Sequence, residues 1–211
     1  MLGFISIGSS SPTVCSVHTG LFAAATPWLD PVNFKSKLLH LKDAVPLIIL
    51  QRDRGEGRVT CNSMGLPKIS YELDKHDKKS MVTGVLRALE ILEKSGSDYI
   101  STAHNDDTGI VCGKDELSFL TYLNEVERRG IEKHRMGIFS AHQMGSCRMG
   151  TSPNTSVVDQ NGESWECEDL YIMDASIFPT ASGANPMITT LTMSHMLSIR
   201  LKNKLQDSCS K

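Results

Sequence analysis

Two segments in the middle of the chain carry apolar residues at helical spacing. In residues 80–94 the apolar positions recur at i, i+3, i+4 and i+7, and in residues 115–129 four apolar positions recur three residues apart. Gly96 and Gly130 follow the two segments as helix stop signals. We therefore predict two amphipathic helices whose apolar faces lie in a core, formed by Val82, Val85, Leu86, Leu89 and Leu92 in the first and by Leu117, Leu120, Leu123 and Val126 in the second.

Shorter segments before these helices have the character of strands. Residues 45–50 form a compact apolar run, and residues 58–61 follow a Gly-Glu-Gly turn. Residues 69–73 alternate apolar and polar side chains, which predicts a half-buried strand. Residues 1–20 are rich in Ser, Gly and Thr, and we interpret them as a loose lead-in.

The rest of the chain adds a loop, a strand and a third helix. Residues 104–107 predict a solvated loop, and a metal site there lacks a second cluster of ligands. Residues 170–174 predict a buried strand that ends in a carboxylate. Asn185 and Pro186 predict the start of a helix that continues to about Leu205, because Asn is a preferred N-cap and Pro a preferred first helical residue.

The composition narrows the class of protein. The chain has 211 residues, 40% of them hydrophobic and 22% charged, with a formal net charge of -2. These values disfavour a disordered chain and a nucleic-acid binder driven by bulk charge. The six cysteines form no C-x-x-C pair, so we expect buried or free thiols and no metal ligands among them. The sequence shows no convincing signal peptide and no apolar run long enough to span a membrane.

Candidate chemistry is concentrated after residue 138. His142 precedes a Gly-rich turn, Asp174 ends the predicted strand, and Asn185 caps the predicted third helix. The first backbone N–H groups of that helix lack partners within it and suit an anion or a developing negative charge. Each residue also has a purely structural interpretation: a hydrogen-bonded histidine, a turn-capping aspartate and an ordinary helix cap. The residues alone leave these alternatives open.

The combination of motifs in this region is more specific than its parts. His142 is followed by Gly145-Ser146 and Met149-Gly150, then by Val158-Asp159 and Gly162, then by residues 170–179 and by Asn185-Pro186. In order, spacing and residue type, this resembles the C-terminal signature of the glucose–methanol–choline (GMC) oxidoreductases, which are FAD-dependent alcohol oxidases and dehydrogenases. The amino-acid sequence of residues 140–150 is most similar to the branch of plant long-chain fatty alcohol oxidases.

The resemblance implies a role for each site residue. His142 would be the base that takes the hydroxyl proton, and Asn185 would hold the substrate oxygen, so that the two side chains converge over one face of the flavin. Asp174 and Ala175 would run beside the FAD, and the helix start at Asn185, Pro186 and Met187 would face the flavin edge. The implied reaction converts a long-chain fatty alcohol to its aldehyde, with oxygen as acceptor and hydrogen peroxide as product. A sterol or a small polar alcohol as substrate, and an inert fragment, remain alternatives.

The resemblance also implies a fold, of which this sequence is expected to contain only a part. The family combines a substrate lobe, a sheet with helices, with an FAD-binding lobe, which makes the fold class α+β or α/β. We expect residues 1–139 to be part of the substrate lobe, residues 140–206 to complete the FAD lobe, and residues 55–200 to be the C-terminal homology region. The sequence has no G-x-G-x-x-G motif, so we expect the N-terminal dinucleotide-binding unit to be missing. Membrane-associated intracellular localisation would come only through an upstream segment.

Overall fold

The computed structural model describes residues 12–14, 18–113 and 115–209, and the chain divides into two compact units, Met1–Phe139 and Ser140–Lys211. We call these the first and the second unit. Six short strands and four helices of the first unit are described, and one long helix of the second unit. The elements combine helices with antiparallel strand pairs, as in an α+β arrangement. The expectations for the chain start fall largely on residues 1–11 and 15–17, outside the described residues.

Helix α3, Lys75–Lys94, forms the centre of the first unit and confirms the first predicted helix. It begins five residues before the predicted start, because the side chain of Asp74 accepts a hydrogen bond of 2.7 Å from the Asp77 N–H and caps the helix there. The apolar stripe does not extend into this first turn, so the periodicity could not locate it. The buried apolar side chains of α3 are Met81, Val85, Ala88, Leu89 and Leu92.

Helix α4, Glu116–Arg129, confirms the second predicted helix. Asp115 caps it by accepting from the Ser118 N–H at 2.6 Å, and Gly130 ends it in a left-handed conformation with φ 60°. Val126 is 1% exposed and belongs to the same hydrophobic core as α3. Leu117 is 74% exposed, so the predicted apolar face of α4 is only partly buried.

Two helices precede α3 that the apolar pattern did not predict. Helix α1 spans Thr19–Ala25 and helix α2 spans Pro31–Leu39. Each begins at a capping side chain, His18 for α1 and Asp30 for α2, and Pro31 occupies the first turn of α2. The helices are short and α2 is only weakly amphipathic, which left little periodicity to detect.

The strands form three separate antiparallel pairs. Strand β1 (Pro12–Val14) pairs with β2 (Leu47–Ile49), β3 (Gly57–Cys61) pairs with β4 (Pro67–Tyr71), and β5 (Tyr99–Ile100) pairs with β6 (Ile110–Val111). The predicted strands at 45–50 and 58–61 are therefore present. The strand predicted at 69–73 ends at Tyr71, and its half-buried character is wrong for β4, because every residue of β3 and β4 is exposed; Leu73, after the strand, is buried.

The solvated loop predicted at residues 104–107 is confirmed for the exposed Asn105 and Asp106 and wrong for the two residues on either side. His104 and Asp107 are each 1% exposed. Asp107 accepts hydrogen bonds from the Thr102 hydroxyl at 2.6 Å, the Tyr122 hydroxyl at 2.7 Å and the Gly109 N–H at 2.8 Å. A buried carboxylate is tolerated when donors surround it in this way, and the polar composition of the segment concealed its burial.

The second unit is built from turns around helix α5, Met187–Cys209. The buried strand predicted at residues 170–174 is wrong: Leu170 is 49% exposed, and Tyr171 forms only an isolated bridge with Glu163. The C-terminal half of α5 is tied to these turns, because Lys204 Nζ lies 3.0 Å from a Glu163 carboxylate oxygen.

Two expectations from composition concern thiols and membranes. Cys61, Cys112, Cys147 and Cys167 carry free thiols, while Cys15 and the side chain of Cys209 lie outside the described residues. In the described part of the chain, no helix combines the length and the apolar character that crossing a bilayer requires.

Candidate active site

His142 lies in the extended segment that opens the second unit. Its side chain is half-buried, and among the described residues the imidazole has no hydrogen-bond partner. The neighbouring Gln143 side chain instead donates to the Ser140 carbonyl at 2.8 Å. The interpretation of His142 as a hydrogen-bonded structural histidine therefore has no support in the described contacts.

The segment after His142 is fixed by three main-chain hydrogen bonds. The N–H groups of Gly145, Cys147 and Met149 donate to the carbonyls of Ala175, Ser176 and Ile177, at 3.4, 2.9 and 2.8 Å. The donors are alternate residues of a segment that contains a turn at Ser146 and Cys147. The acceptors are consecutive residues of a tight 3-10 turn, Ala175–Ile177.

Gly145 is required for this arrangement. It has φ 84°, in the left-handed region, and a Cβ at this position would lie 3.3 Å from the Phe178 carbonyl oxygen. The sequence predicted a Gly-rich turn here, but it did not indicate which glycine makes the turn.

Asp174 caps the 3-10 turn. Its carboxylate accepts from the Ser176 N–H at 2.8 Å, and hydrogen bonds from the Ser176 hydroxyl and N–H hold the pKa of the Asp174 carboxyl below its usual value. Ala175, the second predicted cofactor contact, follows as the first residue of the turn, and its carbonyl also accepts from the Phe178 N–H at 3.2 Å. The side chain of Asp174 is thus committed to its own loop.

Helix α5 begins at Met187, one residue later than predicted. The first helical hydrogen bond runs from the Thr190 N–H to the Pro186 carbonyl at 2.8 Å, so Pro186 occupies the capping position. Pro186 is buried, whereas Asn185 is exposed. In the described contacts the Asn185 carboxamide has no hydrogen-bond partner, so its predicted capping bond is not formed.

One small hydrophobic core joins the three segments that carry the predicted residues. The turn after Asp174 contributes Ile177 and Phe178, which are 0% and 4% exposed. Helix α5 contributes Met193 and Leu197, and the segment after His142 contributes the half-buried Met144 and Met149. The apolar pattern did not predict that the two methionines lie in a core, because single apolar residues in a Gly-rich segment show no periodicity.

The structure thus places all six predicted site residues in the second unit, in three segments that pack on one core. Main-chain hydrogen bonds join the His142 segment to Ala175. No hydrogen bond links the His142 and Asn185 side chains within the described residues. Their convergence over one flavin face stays a prediction.

The first turn of α5 fits one part of the flavin that the resemblance implies. The N–H groups of Met187, Ile188 and Thr189 have no acceptor within the helix, and the side chains of Met187 and Ile188 are each 67% exposed. Together with the helix macrodipole these groups make an electropositive surface, which suits the electron-rich edge of a flavin ring. The glycine motif that would hold a dinucleotide's pyrophosphate is not in this sequence.

Comparisons with known proteins show which family this chain resembles. A family model described as GMC oxidoreductase matches residues 53–194, a range that contains every predicted site residue. Long-chain-alcohol oxidase FAO3 of Arabidopsis thaliana is 34% identical over 196 residues, which cover 90% of this chain and 26% of that protein. Long-chain-alcohol oxidase FAO1 of the same plant is 35% identical over 191 residues, covering 88% of this chain and 24% of the relative.

A solved structure of pyridoxine 4-oxidase from Mesorbium loti superposes with a TM-score of 0.46 and 21% identity, over 75% of this chain and 30% of that one. The chain spans about a quarter of the length of the two plant relatives.

Proposed function

The chain belongs to the GMC oxidoreductase family, and from that premise we propose that it carries the catalytic base and the substrate-holding amide of an FAD-dependent alcohol oxidase. The match over residues 53–194 carries the proposal, because it includes both His142 and Asn185. This chain spans about a quarter of the length of its relatives. We therefore assign the complete reaction to a larger assembly, of which residues 53–194 are one part.

His142 acts as the base. When an alcohol is oxidised, the hydroxyl proton must leave as the carbon loses a hydride, and an imidazole accepts a proton readily near neutral pH. The half-buried ring of His142 has no protein partner in the described contacts, which leaves both nitrogens available to substrate. Bound FAD would supply the acceptor for the hydride.

Asn185 holds the substrate oxygen. Its carboxamide NH₂ donates to the hydroxyl oxygen and fixes the direction of the carbon–oxygen bond. The N–H groups that follow Pro186 would hold the edge of the flavin. The turn capped by Asp174 would hold the cofactor near Ala175. The exposure of Asn185 and its lack of a protein partner in the described part support this role.

The substrate we propose is a long-chain fatty alcohol, because two relatives with over 30% identity across about nine-tenths of this chain are named long-chain-alcohol oxidases. The balanced reaction is an alcohol plus oxygen giving an aldehyde plus hydrogen peroxide. Two hydrogens leave the alcohol and both reach oxygen.

A chimera tests the proposal most directly. This chain replaces the matching quarter of Arabidopsis FAO3, and peroxide formation is followed with fatty alcohols of increasing length, a sterol and a small polar alcohol. We expect peroxide from the fatty alcohols, and a loss of about 10²–10⁴-fold in kcat for His142→Ala, the usual contribution of a positioned base. The control is His195→Ala, which removes an exposed histidine about two turns along α5.

Three outcomes contradict parts of the proposal. A His142→Ala chimera as fast as the parent removes the base, and a preference for the sterol or the small alcohol removes the substrate class. An inactive chimera that also fails to retain flavin after desalting supports the alternative of an inert fragment. The wild-type 211-residue chain, mixed with FAD and desalted, shows separately how much flavin this chain holds alone, and we expect little.

A further inference from the structure

We propose that Asp174 is a positioning residue for His142, because its carboxylate holds the 3-10 turn to which the segment after His142 is hydrogen-bonded. The role differs from contact with cofactor or substrate. This role rests on the proposed function of His142. The series of contacts that connects Asp174 to the segment after His142 does not depend on that function.

The first step runs from the carboxylate to the turn. Asp174 has extended backbone geometry, and its side chain accepts from the Ser176 N–H at 2.8 Å, in the manner of a helix cap. Its main-chain carbonyl also accepts from the Ile177 N–H at 3.3 Å, which closes the turn. Loss of the carboxylate leaves the Ser176 N–H without its acceptor and loosens the turn.

The second step runs from the turn to the His142 segment. All three residues of the turn present their carbonyls to that segment, which donates from Gly145, Cys147 and Met149. A turn that loosens changes the direction of its three carbonyls together. His142 is three residues before the first of these donors, and the only other side-chain bond described beside it is that of Gln143 to Ser140.

The third step is the packing beneath the pair. Ile177 is fully buried, and Met149 packs against the same core. The turn therefore cannot move away as a rigid body without opening that core, so the carboxylate acts on the direction of the carbonyls more than on the position of the turn.

The test uses the full 211-residue chain and nuclear magnetic resonance. We compare Asp174→Ala, the conservative Asp174→Asn, and the matched control Asp159→Ala. Asp159 is a suitable control because it caps a turn of the same unit by accepting from the Asn161 and Glu163 N–H groups at 2.8 and 2.9 Å. The readouts are amide hydrogen exchange and the ring resonances of His142.

For Asp174→Ala we expect exchange at Gly145, Cys147 and Met149 to become about fivefold faster, the factor that corresponds to loss of a typical cap, together with a displaced His142 ring resonance. Asp174→Asn should restore both, because an Asn side chain caps about as well as Asp. Asp159→Ala should speed exchange at Asn161 and Glu163 and leave the His142 ring unchanged.

The proposal is overturned if the His142 ring resonance stays in place in Asp174→Ala, or moves equally in Asp159→Ala. If the alanine variant does not fold, Asp174→Glu replaces it, since it keeps the charge but displaces the acceptor by one methylene group, and the same displacement is expected. These readouts need neither flavin nor alcohol. Failure of the proposed function would appear only as an inactive chimera, so the two failures are distinguishable.

Discussion

The two units of the chain are stabilised in different ways. Within the described residues the core of the first unit contains fourteen buried hydrophobic side chains, and that of the second contains four. The first unit packs helices and strands around α3, while the second depends on capped turns and main-chain hydrogen bonds between loops. The residues with proposed chemistry all belong to the second unit. Polar loops with little core leave side chains available, and binding residues commonly lie on such segments.

The polar side chains of the two units differ in the same sense. In the first unit the buried Asp77 accepts from Gln51 Nε2 at 3.0 Å and from the Gly55 N–H at 3.0 Å, and the buried Asp107 accepts from several donors. In the second unit His142 and Asn185 have no such partners among the described residues. These two carboxylates are paired because an unpaired buried charge is costly, whereas groups that meet a substrate must stay available.

The largest expected effect comes from removing one leucine from each core. Leu89 and Leu197 are both 0% exposed. We expect Leu89→Ala to lower the free energy of unfolding of the first unit by about 4 kcal/mol and Leu197→Ala to lower that of the second by about 2 kcal/mol, because a small core collapses more easily around a cavity. Native-state hydrogen exchange in each unit measures both. Leu117→Ala, at a 74% exposed site, is the control, and a larger loss for Leu197 contradicts the comparison.

A smaller effect is expected from one hydroxyl in the polar network of the first unit. The Tyr122 hydroxyl donates to Asp107 at 2.7 Å, and burial, followed by the charge of Asp107, raises the pKa of Tyr122 far above its usual value. The hydroxyl therefore stays protonated and remains a donor. Tyr122→Phe should cost about 1.5 kcal/mol, since a buried carboxylate loses a donor.

Urea unfolding of Tyr122→Phe gives this value. The control is Tyr71→Phe, which removes a hydroxyl that donates to Asp53 at 2.6 Å on the exposed strand β4 and should cost less. Equal losses for the two tyrosines would mean that burial does not decide the strength of these bonds.

The sequence predicted the first unit better than the second. Helices α3 and α4 were predicted because long apolar stripes report burial directly, and the first turn of α3 was missed because a capping Asp74 sets it. The burial of His104 and Asp107 could not be predicted, because their hydrogen-bond partners lie up to 26 residues away in sequence. Only tertiary contacts bring these groups together.

For the candidate site, the sequence predicted the segments and not their connections. The helix start near Pro186 was located to within one residue by cap chemistry. The strand at 170–174 was wrong because this segment pairs with its neighbour only through the isolated bridge between Glu163 and Tyr171. The three bonds from Gly145, Cys147 and Met149 have no local signature, since main-chain hydrogen bonds between loops do not depend on residue type.

The smallest expected effect is a difference in acid sensitivity between the units. In the second unit, hydrogen bonds from Lys204 lower the pKa of Glu163 from 4.5, and those from Ser176 lower the pKa of Asp174 from 3.8. A lowered pKa means stability that is present above the usual value and is lost as the pH falls through the folded value. The second unit should therefore lose stability from about pH 4.5 downward.

The first unit contains carboxyl groups of both kinds. Hydrogen bonds from Arg128 lower the pKa of Glu125 to about 2. Desolvation raises the pKa of Asp53, so protonation of Asp53 stabilises the folded unit. These opposing terms should flatten its response to acid. Hydrogen exchange between pH 6 and pH 3 compares the units, and Asp174→Asn should flatten the profile of the second unit alone. A first unit that weakens more steeply on acidification than the second would contradict this assignment, because it would mean that the carboxylates of the turns contribute less than those of the first unit.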